Sequence, residues 1–328
     1  MTIDGSIGGF LPLELPNGSA ETLAPAFAEA IAFRSGRACL RAALEVERPR
    51  RLFCPFYVCD SVLDAARDAE VPVELYSIDE ELRPTSLSAN ADDAVLVVDY
   101  FGLGRVVEPD GLRARVIFDD TQAFFARRDA HSWSFSSARK WFGVADGAFL
   151  RGPRPVPAPV LTERNSWAHL IERRWGDAAA AYRAYVAAEE SFDTRPAGMS
   201  AASRGLLVGV DFERVQSKRR RNFARLHAAL GQQNALPVSL RPDAVPFIYP
   251  FLPRAQVPHA ALHAERIFVA RYWAECETRA GAGFGWERSL ARGLLPLPID
   301  HRYGDVEMDR VIDVVQSAVA QGVRCETT

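Results

Sequence analysis

Between residues 25 and 151, short apolar runs alternate with stretches whose apolar positions return every three to four residues. The longer repeat predicts helices over 38–46 and 61–68. The short runs predict strands over 51–55, 71–76, 94–99, 115–119, 132–136 and 147–151. Two of them, AVLVVD at 94–99 and RVIFD at 115–119, show no polar alternation. Such strands are covered on both faces, as in a mostly parallel sheet flanked by helices. The expected architecture is therefore α/β, with functional groups at the carboxyl ends of the strands.

Beyond the proline-rich break RGPRPVPAPV the pattern turns helical. One long helix is expected over 166–190 and another over 199–230. PFIYPFL at 246–252 predicts a strand of a smaller C-terminal α+β domain, and 306–320 a last helix. The expected organisation is an N-terminal segment (1–24), a large domain (25–210) and a small domain (211–328). No internal repeat stands out.

Charge and composition narrow the function classes. A formal net charge of −3 gives no electrostatic reason to expect nucleic acid or an anionic membrane as partner. No apolar stretch has the length of a membrane span. The start, MTIDGSIGGFLPLELP, lacks a basic region followed by an apolar run, so no secretory signal is expected. Cys39, Cys54, Cys59, Cys276 and Cys325 are odd in number and follow no pairing motif, which predicts reduced thiols in a cytoplasmic protein.

Three motifs look functional and are set aside. His259 and His263 share a helix face in HAALH, but Ala260 stands where a zinc protease has its glutamate, and further ligands are missing. Gly281, Gly283 and Gly285 in GAGFGW follow a helical rather than a strand-like stretch, so they read as a connection and not a phosphate loop. The basic cluster at 218–221 reads as a solvated or interfacial helix face.

The use of lysine is more telling. Of 39 basic residues only Lys140 and Lys218 are lysines. Arginine holds its charge and is a poor nucleophile, whereas a lysine amine can lose its proton when desolvated and attack a carbonyl. Lys140 closes the apolar run SFSSARKWFG, among hydroxyls and aromatics, and its candidate role is a Schiff base. Arg139 beside it is a cation able to depress the amine's pKa. A lysine Schiff base suggests pyridoxal 5'-phosphate (PLP), which makes further demands. Its pyridinium nitrogen wants a carboxylate, its phosphate wants helix N-terminal N–H groups, and its ring wants a flat side chain. Asp119 ends the strand RVIFD, and Gln122 follows three residues later. Ser35-Gly36-Arg37-Ala38 is a turn leading at once into a helix.

Taken in this order, the pieces resemble the DegT/StrS-type aminotransferases, PLP-dependent sugar aminotransferases of the type I PLP-transferase fold. The likeness runs through SGRACLRAAL, CPFYVCDSVLDA, VELYSID, FDDTQAFF and SFSSARKWFGVADGAF, and resumes at SKRRRNFARL and LLPLPID. It implies that Lys140 binds the cofactor and shuttles the proton, and that Asp119 pairs with the pyridinium nitrogen. Gln122 would contact the ring near its phenolic oxygen, and Gly36, Arg37 and Ala38 would lie at the phosphate. Ser134 or Ser136 would add a hydroxyl there. Tyr57 would stack on the ring, with Cys59 at the other plausible position. The resemblance also implies a homodimer acting on a small ketone, with a nucleotide-linked keto-sugar the leading class and glutamate the donor. Two departures stand out: Arg37 replaces the usual threonine, and the stretch at 195–200 lacks the asparagine that reaches the neighbouring subunit's phosphate, with Arg195 or Arg204 as substitutes. The alternatives are other PLP chemistry on an amino acid (elimination, decarboxylation or condensation) and a PLP-fold protein that binds without turnover.

Overall fold

The computed structural model describes residues 5–16, 27, 29–85, 87–104, 106, 111–161 and 166–326, without the side chains at 160–161 and 323–326. The expected boundary at residue 24 and the Cys325 thiol lie outside what is described.

Strand β1 (Ile7–Gly8) precedes β2 (Ile31–Phe33) and helix α1 (Gly36–Glu47). Ser35 caps α1: its backbone is extended and its hydroxyl accepts the Ala38 N–H at 3.3 Å. Ala38, Leu40, Ala43 and Leu44 are among the residues α1 buries in the core. Next come β3 (Leu52–Pro55), α2 (Asp60–Asp68), β4 (Val73–Tyr76), β5 (Ala94–Val98), β6 (Arg115–Asp119) and β7 (Trp133–Ser137). All five residues of β5 are buried, as its unbroken apolar run predicts.

Strands β2 to β7, with β8 (Ala148–Arg151), β9 (Val160–Leu161) and β10 (Ala197–Gly198), form a sheet that among the described residues has nine strands, in the order β4-β3-β5-β6-β7-β8-β2-β10-β9. The stretch from β4 to β7 is parallel throughout. The direction then reverses at β8, which is antiparallel to β7. Only the four-residue helix α3 (Ala138–Trp141) and a turn separate those two strands, too little chain for a parallel crossover. Strand β2 lies antiparallel to both its neighbours, β8 and β10, and β9 is parallel to β10.

Both long helices expected after residue 151 are broken in two. The first becomes α4 (Ala168–Trp175) and α5 (Ala178–Glu190), parted by Gly176 and restarted by Asp177, whose carboxylate accepts the Ala180 N–H at 2.8 Å. The second becomes α6 (Ala201–Val208) and α7 (Phe212–Leu230), parted at Gly209 and restarted by Asp211, which accepts the Arg214 N–H at 2.9 Å. In each case an aspartate N-cap beside a glycine outweighs the continuity of the apolar pattern.

The remaining chain adds β11 (Tyr249–Phe251), α8 (His259–Ala264), β12 (Ile267–Phe268), α9 (Gly285–Gly293), β13 (Leu295–Leu297) and α10 (Asp305–Glu326). Strands β11 and β13 pair antiparallel, and β1 reaches across to pair with β12. Asn222 on α7 fastens this part, its amide nitrogen donating to the carbonyls of Ile299, Asp300 and Tyr303. No helix among the described residues is long and apolar enough to cross a membrane.

Candidate active site

Strand β7 turns directly into α3, and this abrupt junction brings Lys140 to the carboxyl edge of the sheet. Its amine donates a hydrogen bond to Thr121 Oγ1 at 3.2 Å. Trp141, the next residue, is fully buried, and its indole N–H donates to the Thr121 carbonyl at 3.1 Å. Thr121 in turn donates its N–H to Asp119 Oδ1 at 2.9 Å. One loop after β6 therefore touches the lysine, its neighbour and the candidate carboxylate.

Register fixes the direction of each side chain. Asp119 lies opposite Phe135, so both project to the same side of the sheet, whereas Asp120 projects to the other. On the Phe135 side stands the start of α1. A Cβ at Gly36 would lie 3.1 Å from Thr121 Cγ2 and 3.5 Å from the Phe135 ring. Glycine thus lets the helix N-terminus approach the Asp119–Thr121 loop closely. Ser35 takes the Ala38 and Cys39 N–H groups; among the described residues nothing accepts those of Gly36 and Arg37. Two free N–H groups at a helix start form an anion-binding position.

The carboxylates differ in their partners. Asp120 and Asp99 share Arg128, which donates to Asp120 at 2.5 Å and to Asp99 at 2.8 Å. Burial pushes the Asp120 pKa up to about 7; Asp99 and Asp119 push the same way, and Arg128 only partly offsets them. Burial also raises Asp99. Asp119 is only 5% exposed, yet among the described residues no cation pairs with it. A buried carboxylate without a counter-ion is costly, and this one borders the helix N-terminus and the Lys140 loop. Gln122 commits its amide oxygen to the Phe101 N–H at 2.9 Å, holding a residue with φ of 63°.

No protein-family model matches the sequence, and no curated protein does. Solved structures do match. DesV of S. venezuelae, solved in complex with a ketimine intermediate, superposes with a TM-score of 0.63 at 17% identity, over 88% of this chain and 84% of that one. The sugar aminotransferase CalS13 of Micromonospora echinospora gives 0.61 at 14% identity, over 94% and 99%. Spr1654 of Streptococcus pneumoniae in its PMP-form gives 0.68 at 11% identity, over 98% and 100%, and a PLP-form of it also matches. The chain has the type I PLP-transferase fold.

Within that fold several expected site residues stand elsewhere. Ser134 and Ser136 lie on the face opposite Phe135, in a small pocket with Phe27, Asp120, Phe124 and Arg151. The cause is the period of two: Trp133 and Phe135 take the α1 side, so the alternate serines cannot reach it. Tyr57 is fully buried, with its ring 4.4 Å from Trp273 and 5.8 Å from Tyr100. A ring enclosed in this way presents no open face to a crevice. Cys59 is half-buried at the N-cap of α2, its sulfur 2.9 Å from Ser61 Oγ.

The arginines near α1 are engaged by the end of α5. Arg37 donates to the Phe192 carbonyl at 2.9 Å, and Arg34 to Ser191. Arg34 and Arg139 each stack on the Phe192 ring, at 4.5 and 4.2 Å. Arg139 also pairs with Glu189, so its charge is already answered. The stretch at 195–200 is built into this chain's own sheet through β10. Ser200 there donates both its N–H and its hydroxyl to the Asp146 carboxylate, each at 2.9 Å. Gly147 beside it has φ of 130°, and a Cβ would meet Met199 Cε at 2.7 Å. Arg195 pairs with Asp193, and Arg204 is exposed.

His263 is exposed and His259 half-buried, and no metal-binding group of residues occurs among the described residues. Gly281 and Gly283 form a turn with positive φ ahead of α9. The basic cluster needs correcting at one position: Arg219 is 1% exposed, its guanidinium 4.3 Å above the Trp141 ring and bonded to the Phe247 carbonyl at 2.7 Å. Thr121 and Arg219 are thus the site-bordering residues that sequence reasoning missed. Helical phase could have found Arg219, which shares a face with Val215, Phe223 and Leu226.

Proposed function

We propose that this chain is a PLP-dependent aminotransferase acting on a small ketone, with a nucleotide-linked keto-sugar the leading class and glutamate the donor. The observation that carries the proposal is the Asp119 carboxylate, buried beside the Lys140 loop and the start of α1 with no cation paired to it among the described residues. A pyridinium N–H is the partner it lacks. The fold shared with aminotransferases in PLP and PMP forms supports the same reading.

When bound, PLP supplies an electron sink for charge developing on the substrate carbon. Asp119 would keep the ring nitrogen protonated. The free N–H groups of Gly36 and Arg37 would hold the phosphate, with Ala38 completing the turn. Gln122 would offer its NH2 end to the ring's phenolic oxygen. The Lys140 amine would bind the cofactor's carbonyl carbon and then move the proton at the substrate carbon. Incubating the purified protein with a panel of amino acids while following the cofactor spectrum tests this. Conversion to the pyridoxamine form by glutamate supports transamination; release of an aldehyde or loss of carbon dioxide overturns it.

A homodimer belongs to the same proposal. Ile171, Trp175, Tyr182 and Val186 on α4 and α5 are exposed apolar side chains, and two-fold dimers are the commonest closed assembly. Light scattering is expected to give twice the chain mass; a monomer at working concentration contradicts this. Cys39, Cys54, Cys59 and Cys276 are free thiols, which suits a cytoplasmic protein.

A further inference from the structure

We infer that Thr121 anchors the Lys140 amine and sets the direction in which it reacts. The inference rests on the proposed function only for what the amine attacks. Among the described residues the amine's hydrogen-bond partner is Thr121 Oγ1, at 3.2 Å. That oxygen is itself fixed from several sides. The Thr121 N–H is held by Asp119 at 2.9 Å and its carbonyl by the Trp141 indole at 3.1 Å. Its Cγ2 lies against Gly36, where a Cβ would stand 3.1 Å away. A β-branched side chain confined in this way has little rotamer freedom.

The consequence is stereochemical. A neutral amine carries two N–H groups and one lone pair on a flexible four-carbon stem. Holding one N–H on a fixed oxygen confines rotation about Cε–Nζ, so the lone pair sweeps a narrow arc. Thr121 also sits between the amine and the start of α1, which aligns the nucleophile with the anion-binding end of the site. Serine would keep the acceptor and valine would keep the shape, which separates anchoring from packing.

The two-lysine composition makes the test clean. Lysine labelled with 13C at the ε carbon gives two methylene signals, with Lys218 as internal reference. In the cofactor-free full chain, Thr121→Val is expected to lower the Lys140 methylene order parameter to that of an unrestrained side chain. Thr121→Ser retains it, and Lys218 stays unchanged. Thr121→Ala, which lacks the hydroxyl and cannot crowd Gly36, gives the same loss and serves if the valine variant folds poorly.

Added PLP, trapped with borohydride and read by peptide mass, gives a second readout. In trapping, the amine nitrogen bonds to the aldehyde carbon, the oxygen leaves as water, and hydride then adds to that carbon. Capture at Lys140 is expected to slow about tenfold without the hydroxyl and less than about threefold in Thr121→Ser. Unchanged order in both hydroxyl-free variants overturns the inference, as does a serine variant that loses as much as they do. If the order contrast holds but wild-type Lys140 captures no PLP, the anchor stands and the PLP proposal falls.

Discussion

Lys140→Ala is expected to lose all covalent PLP and to slow turnover by at least about a thousandfold. The chain has only one other lysine side chain, Lys218 on α7. That residue stands away from the sheet edge, with its amine near Gly304. Lys140 alone adjoins the Asp119–Thr121 loop and, through Thr121, the start of α1. On the proposed reading, losing it removes both the nucleophile and the proton carrier, and a positioned acid–base group alone contributes about a hundred- to ten-thousandfold. Borohydride reduction of the PLP-treated wild type should leave a pyridoxyl group on the peptide containing Lys140 and on no other. An adduct on Lys218 instead, or an alanine variant within tenfold of wild type, would end this assignment. The fold itself should survive, because Lys140 is only half-buried and gives up one hydrogen bond.

What could be read from the residues depended on whether periodicity carried the information. Strands β5 and β6 declare themselves because unbroken apolar runs ending in aspartate admit few other readings, and their carboxyl ends position the candidate site. The serines did not. Ser134, Ser136 and Ser137 are interspersed with one aromatic, so which of them shares the face of Asp119 depends on the phase of β7, and only pairing with β6 decides that. Tyr57 was equally opaque: Phe56, Tyr57 and Val58 are all buried, so no alternation reveals which ring faces a crevice. Thr121 reads as an ordinary turn residue, and its importance is purely tertiary. Arg219 was misread for the opposite reason. Its neighbours Lys218, Arg220 and Arg221 made a charge cluster conspicuous, while the spacing from Val215 to Phe223 placed this one guanidinium inside.

The adjacent aspartates Asp119 and Asp120 offer the sharpest discrimination. Asp119→Asn is expected to cut turnover by about a thousandfold or more while leaving much of the cofactor bound. An amide has nearly the carboxylate's shape, and its oxygen can still accept the Thr121 N–H. It cannot offset the positive charge of a protonated ring, so the electron sink is lost. One charge-assisted hydrogen bond is worth on the order of 1.5–3 kcal/mol, a loss that the phosphate contacts and Lys140 should absorb. Asp120→Asn should behave otherwise, because that side chain projects to the opposite face and shares Arg128 with Asp99. Its removal leaves Arg128 and Asp99 as a matched pair, so activity should stay within roughly tenfold. Its effect belongs to stability. With a folded pKa raised to about 7 from an unfolded value near 4, Asp120 takes up a proton on folding between those limits. Wild-type stability therefore falls as pH rises from about 4 to about 7, through this group, and Asp120→Asn removes that decline. Chemical denaturation at pH 5 and pH 8 should show the asparagine variant gaining on wild type at the higher pH. If Asp120→Asn instead abolishes turnover and Asp119→Asn does not, the wrong carboxylate has been assigned to the ring. If neither alters turnover, the buried unpaired carboxylate has another cause and the PLP chemistry proposed for this site fails with it.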